Sequence, residues 1–121
     1  MPAGKCLDVI LLDKIKNQCS ESFLIRLIDL FLKDAPMRIE EAWAAGKAKD
    51  LRKVAVAAHI LRCLAENIGA INIRELASAA ETAAEGGRES SVFLAHILFD
   101  LEISFAETRT CLLEAKLGMS T

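Results

Sequence analysis

Tyrosine is absent from this chain, proline occurs only twice, and aromatic residues make up 5% of it. So little proline excludes a collagenous or Pro-rich extended chain, and 53% hydrophobic against 26% charged residues excludes a disordered tail. No charge of one sign dominates. Fifteen basic and seventeen acidic side chains leave a formal charge of -2, without the basic surplus that binding to a phosphate backbone needs, so nucleic acid is not an expected partner. The four cysteines, Cys6, Cys19, Cys63 and Cys111, form no C-x-x-C pair, so neither a zinc knuckle nor a redox dithiol is written here and reduced thiols are expected. There is no uncharged run of about 18 residues. The start, Met-Pro-Ala-Gly-Lys-Cys, has no basic-then-apolar signal pattern. The expectation is a cytoplasmic protein with no membrane partner. A glycine-rich nucleotide loop is missing as well, so no kinase activity of its own and no cofactor are expected.

What is present is helical periodicity. At 121 residues the chain has the length of one domain, 1–121. Leu7 to Asn17 holds a short apolar cluster (Val9, Ile10, Leu11, Leu12, Ile15) suited to a docking helix that caps a bundle. Ser20 is a plausible N-cap for a long amphipathic helix with Leu24, Leu27, Ile28, Phe31, Ala35 and Ile39 on one face, interrupted by Pro36 and stopped at Gly46. A third helix starts from Asp50, carries Val54, Ala58, Leu61, Ala65 and Ile68 on one stripe, and ends near Gly69. The fourth spans about Asn72 to Glu85 and is closed by Gly86-Gly87. Ser90 and Ser91 offer caps for a last helix with Leu94, Leu98, Leu101, Phe105, Thr108 and Leu112 together. Short connections and no alternating stretch predict an all-α, antiparallel four-helix bundle with an extra N-terminal helix.

With the Val54/Leu61 stripe inward, about 100° per residue sends His59, Arg62, Cys63 and Glu66 to the opposite side of the third helix. The stretch His59-Ile60-Leu61-Arg62-Cys63-Leu64-Ala65-Glu66-Asn67-Ile68-Gly69-Ala70 resembles the signature of histidine phosphotransfer (HPt) domains, H-x-L-K-G-[small]-x-x-N-[apolar]-G-A. The FLIRLIDLFLKDAP run from Phe23 to Pro36 is similar to the family's second helix, and Ile73-Arg74-Glu75-Leu76 with the alanines that follow resembles its fourth. The likeness extends from about residue 20 to 115. It implies a bundle whose exposed histidine, His59, carries a phosphoryl group between receiver-domain aspartates in a two-component phosphorelay, with a receiver domain or histidine kinase as partner. Arg62 keeps the positive charge of the family's lysine. Cys63 stands where the family has a glycine, Leu64 where it has a small residue, and Ile60 where it often has threonine. Three departures thus surround one histidine, which marks a degenerate, engineered or repurposed copy as the alternative.

Cys63 beside His59 is also the minimum apparatus of thiol nucleophilic catalysis. In that reading the protein is an esterase or thiol hydrolase, Glu66 orients the base, and Ile60 and Leu64 line an apolar site. An oxyanion hole is not evident, because mid-helix backbone N–H groups are already bonded.

On the last helix, Val92, His96, Phe99 and Ile103 fall on the side away from the core residues. Such a stripe suggests a partner surface, for a second copy or a docked protein, unless the helix is rotated or covered by the N-terminal one. The partner surface also takes in Ile60 and Leu64. His96 has three readings: an interface histidine, an alternative base reaching Cys63, or a metal ligand. A metal needs three or four converging ligands, so none is expected. Trp43 and Met37 are read as packing residues.

Overall fold

A computed structural model describes residues 6–86 and 91–119, the side chain of Ser91 excepted. It contains five helices: α1 (Val9–Gln18), α2 (Glu21–Lys47), α3 (Leu51–Ile68), α4 (Ile71–Glu85) and α5 (Ser91–Leu117). Helix α3 packs against α2 and α4, and α5 closes the bundle against the same two helices, so α3 and α5 stand on a diagonal. Helix α1 lies against α2. The predicted bundle with an added N-terminal helix is thus the observed one.

Three helices begin on side-chain caps. Asp8 accepts from the Leu11 N–H, Ser20 from Phe23 and Asp50 from Lys53, at 3.0, 3.0 and 3.2 Å. Each bond satisfies one of the backbone donors a helix start leaves without an intrahelical acceptor. Helix α1 begins at Val9, two residues after the expected Leu7, because Asp8 caps it and Leu7 pairs instead with Ala70 in an isolated bridge. Val9 and Ile10 are exposed, and Leu12 carries the buried contact. The caps expected at Ser90 and Ser91 and the turn residue Gly87 lie outside the described residues.

Pro36 does not end α2, although it removes one backbone donor. Phe31, Ala35, Ile39 and Ala42 are all buried along one face across the proline, and this packing holds the helix through it. Gly46 is not the stop either. The helix continues to Lys47, and the reversal is made by Lys49 at φ 59°. Asp50 N–H donates to Ala45 O at 2.9 Å and Lys49 N–H to Gly46 O at 3.1 Å, the paired bonds of a Schellman ending. Gly46 instead faces α5, with Leu98 against its backbone.

The end of α3 uses the same geometry with the residue best suited to it. Gly69 takes φ 74°, and Ala70 N–H reaches Ala65 O at 2.9 Å. Its carbonyl accepts from Asp8 N–H at 2.8 Å, which ties the N-terminal segment to the α3–α4 turn. A Cβ here would stand 3.0 Å from the Asp8 Cβ and 3.2 Å from Leu11 Cδ2. The core behind these turns is aliphatic and small. Val54, Leu61, Ala65 and Ile68 of α3 meet Ile73, Ala77 and Ala80 of α4, and Leu24, Ile28, Leu98, Leu101 and Leu112 complete it. Met37 is exposed, so only Trp43 of the two expected packing residues is held against the core. Cys6 is buried and Cys19 exposed. Cys111 is partly buried; burial, then the neighbouring Cys6 thiol, pushes its pKa up to about 11.

Two stability changes of opposite sign follow from the left-handed positions. Gly69→Ala should cost about 1–3 kcal/mol, and Lys49→Gly should raise stability by up to about 1 kcal/mol, by urea unfolding. Equal effects would show that the two turns are not held in these conformations. Because the thiolate is the reactive form, alkylation of Cys111 should keep accelerating about tenfold per pH unit from pH 8 to 10. A plateau by pH 9 would contradict the raised pKa.

Candidate functional site

His59 projects from the middle of α3 with its side chain 51% exposed, while Leu61 and Ala58 beside it are buried. One helix turn therefore supplies both the core contact and the exposed imidazole. Arg62, Cys63 and Glu66 share its side, as the spacing predicts, and the first two are partly covered.

The residue that organises this face comes from α4. Glu81, 16% exposed, places Oε2 3.0 Å from His59 Nδ1 and Oε1 3.2 Å from Arg62 Nε. Arg62 Nη1 donates to Glu66 Oε2 at 3.1 Å, and its Nη2 lies 2.9 Å from the same His59 Nδ1. A carboxylate only accepts and a guanidinium only donates, so Nδ1 serves one neighbour as a bonding partner. The guanidinium already has both carboxylates, whereas His59 is the partner the structure gives Glu81 Oε2. A desolvated carboxylate oxygen needs that donor. The Nδ1–H therefore donates to Glu81, and the lone pair falls on Nε2.

The other ring nitrogen, Nε2, has Cys63 Sγ at 3.8 Å. The i, i+4 spacing thus brings the thiol beside the imidazole, at a distance that allows a weak S–H···N contact. Glu66 does not orient the ring. It lies two turns from His59 and binds Arg62, and Glu81 takes the place the sequence suggested for it. Hydrogen bonds that Arg62 donates to Glu81 first, and to Glu66 second, raise its pKa and keep the guanidinium charged.

Ile60 is partly buried and Leu64 packs at the edge of the core. With Leu51, Ala55, Val56 and Ala84, Ile60 lines a groove of about 540 Å³ between α3 and α4 that opens beside His59 and Glu81. Its lining is mostly apolar but includes Arg52 and Glu85, and Val56 is 55% exposed. His96 stands on α5, diagonal from α3, and is exposed. The polar contact of Cys63 is with His59 and not with His96. Val92, Phe99 and Ile103 are exposed with His96, so neither rotation of α5 nor α1 covers that stripe. Among the described residues no three His, Cys, Asp or Glu side chains converge to hold a metal ion, and no helix is long and apolar enough to cross a membrane.

Glu81 is the site residue that the sequence pattern did not single out. Its signal is faint. It is one of three glutamates, with Glu75 and Glu85, in an alanine-rich helix, next to the buried Ala77, Ala80 and Ala84 stripe, and only the pairing of α3 with α4 shows what it faces.

The family model described as Hpt domain matches residues 26–115. Among solved structures, the chain superposes on histidine-containing phosphotransfer protein B (HptB) from Pseudomonas aeruginosa PAO1 with a TM-score of 0.86 and 21% identity, covering 95% of this chain and 97% of that one. It is also similar to the HPT domain from the Hpt sensor hybrid histidine kinase from Shewanella, with a TM-score of 0.79, 15% identity, and 97% and 98% of the two chains covered. At these identities the superpositions show the shared fold. No curated protein matches the chain.

The tautomer assigned to His59 is directly measurable. Long-range ¹H–¹⁵N spectra of the neutral ring should show Nδ1 protonated and Nε2 bare, and Glu81→Ala should shift the population toward Nε2–H. An unchanged tautomer ratio in that variant would mean that the α4 carboxylate does not set it.

Proposed function

The chain belongs to the Hpt domain family, and from that premise we propose that it is a phosphorelay intermediate in which His59 Nε2 accepts a phosphoryl group from a receiver aspartate and returns it to another. The observation that carries this reading is the Glu81···His59 Nδ1 contact of 3.0 Å. It holds the ring by Nδ1 and leaves Nε2 of a half-exposed side chain to bear the lone pair.

In the transfer, the Nε2 lone pair attacks phosphorus in line with the aspartyl oxygen. The N–P bond forms as the P–O bond breaks, and the aspartate leaves as a carboxylate with that electron pair. No proton need move. The ring becomes a phosphorylated imidazolium, and Glu81 opposes its charge through the Nδ1–H bond. Reversal of the same steps hands the group on. Arg62 is a positioning residue in the resting state, because it holds Glu81 by Nε. Its exposed bond to Glu66 is weak enough to exchange for a phosphoryl oxygen. The mostly apolar groove lined by Ala55, Val56 and Ile60 supplies a surface on which an apolar helix face of a receiver docks next to Nε2.

Cys63 narrows the approach to Nε2 from the α3 side, where its sulfur sits at 3.8 Å. That contact also favours a second reading, a thiol esterase with His59 as base. The helix supplies no free backbone N–H at Cys63, so an oxyanion there lacks the donors acyl transfer requires. The phosphotransfer reading accounts for more of the face.

Incubation with phosphoramidate should add about 80 Da, one phosphoryl group, to the intact mass. His59→Gln should abolish the gain. Cys63→Ala should retain it and accelerate it by up to about tenfold, equivalent to about 1.4 kcal/mol of relieved crowding. No mass gain in the folded protein, with p-nitrophenyl acetate turnover that disappears in Cys63→Ala, would replace this reading with the esterase.

A further inference from the structure

Helix α5 is apolar on two opposite sides. One side, with Leu94, Leu98, Leu101, Thr108 and Leu112, is buried in the bundle. The other begins with the Val92, His96, Phe99 and Ile103 stripe and continues, at the same alternation of four and three residues, through Ala106, Thr110, Leu113 and Leu117. Val92, Phe99, Ile103 and Leu117 are 75, 55, 46 and 86% exposed. Three-four spacing held over α5, a length of about 37 Å, is the pattern of a coiled-coil seam. A helix that needed only its bundle contacts would carry polar residues there.

The edges of the seam distinguish among occupants. Beyond Phe93, one edge is acidic at each heptad step, with Asp100, Glu107 and Glu114 all exposed. The other holds Ala95, Glu102, Arg109 and Lys116, of which Lys116 is bound to Asp29 of α2 at 2.7 Å. An antiparallel second copy would set the acidic edge against itself. A parallel copy would set Glu102 against Glu107 and Arg109 against Glu114, one repulsion for one attraction, with His96 and Thr110 weakening the seam. A helix with basic residues on its edges meets Asp100, Glu107 and Glu114 on one edge and Glu102 on the other with the opposite charge; Arg109 opposes it, while Lys116 is held by Asp29.

We propose that this second face of α5 is the docking surface for an amphipathic helix of a partner protein, one with an apolar seam flanked by lysine or arginine. The seam packs into Phe99, Ile103 and Leu113, and the small Ala106 leaves room for a large side chain between them. Because α5 stands diagonal to α3, this helix binds without covering His59.

The probe is a labelled synthetic peptide of about four heptads with leucine at both seam positions and lysine on both edges. Matched peptides carry glutamate on the edges, or lysine edges with the leucines scrambled out of register. Fluorescence anisotropy against the whole protein should show the lysine peptide binding at least about tenfold tighter than either control, and weakening as salt rises. Phe99→Asp should abolish binding while helical circular dichroism and phosphoryl acceptance by His59 persist. Reversing the edge with Asp100→Lys, Glu107→Lys and Glu114→Lys should transfer the preference to the glutamate peptide. Equal binding of the peptides, no binding of the lysine peptide, or a protein dimer by sedimentation that Phe99→Asp dissociates would overturn the proposal, the last by making a second copy the occupant.

Discussion

The register between α3 and α4 is set by one left-handed residue, and the histidine face depends on it. Gly69 reverses the chain at φ 74°, and the alanines at 65, 77 and 80, all buried, let the two helices run side by side. From that register Glu81 arrives opposite His59 and Arg62 on the neighbouring helix, at hydrogen-bond distance from both. A slip of one residue on α4 would rotate the carboxylate by about 100° and leave the imidazole without its orienting partner. The N-terminal segment reinforces the turn, since Asp8 N–H closes on the Gly69 carbonyl and its carboxylate caps α1 at the same point. A backbone constraint far from the imidazole thereby becomes a constraint on which nitrogen carries the lone pair.

The polar face above that register is an alternating chain of hydrogen-bond donors and acceptors. His59, Glu81, Arg62 and Glu66 each touch the next, so the partly buried carboxylate is compensated on both sides and the guanidinium is held charged. Its exposed end at Glu66 is the part that exchanges at small cost, and its covered end at Glu81 is the part that stays in place. Such a gradient suits the proposed nucleophile, held at Nδ1 and reacting at Nε2. Among the described residues, Cys63 is the side chain in polar contact with Nε2. At the opposite corner of the bundle, α5 carries its acidic edge and apolar seam independently of this network, which gives the molecule two faces with separate chemistry.

Where sequence reasoning met the structure, it succeeded on periodic features and failed on those set by competing local geometries. The inward stripes of α2, α3 and α5 are buried as their three- and four-residue spacing requires, because amphipathic periodicity is a property of each helix alone; Leu27 and Phe105 are the exceptions, only partly buried at the core's edge. Gly46 is not a stop because a packed helix tolerates a glycine in its last turn, here with Leu98 of α5 beside it at ordinary contact distance. Lys49 took the left-handed position instead, since the Schellman bonds to Ala45 and Gly46 offset its strain. Pro36 was tolerated because burial on either side of it outweighs one lost backbone bond.

By itself, the sequence determined the five helices, the inward faces of α2, α3 and α5, the placing of His59 with Arg62, Cys63 and Glu66 on one side of α3, and the second apolar stripe at the start of α5. All of these follow from residue spacing on a single helix. Tertiary structure alone decided that Glu81 and not Glu66 bonds the imidazole, that Arg62 is held between two carboxylates, that His96 is remote from Cys63, and that none of the other described helices covers the far side of α5. Those are relations between helices, and they depend on the turn geometry at Gly69 and Lys49 and on how closely alanine-lined faces approach, which no periodicity along one helix can express.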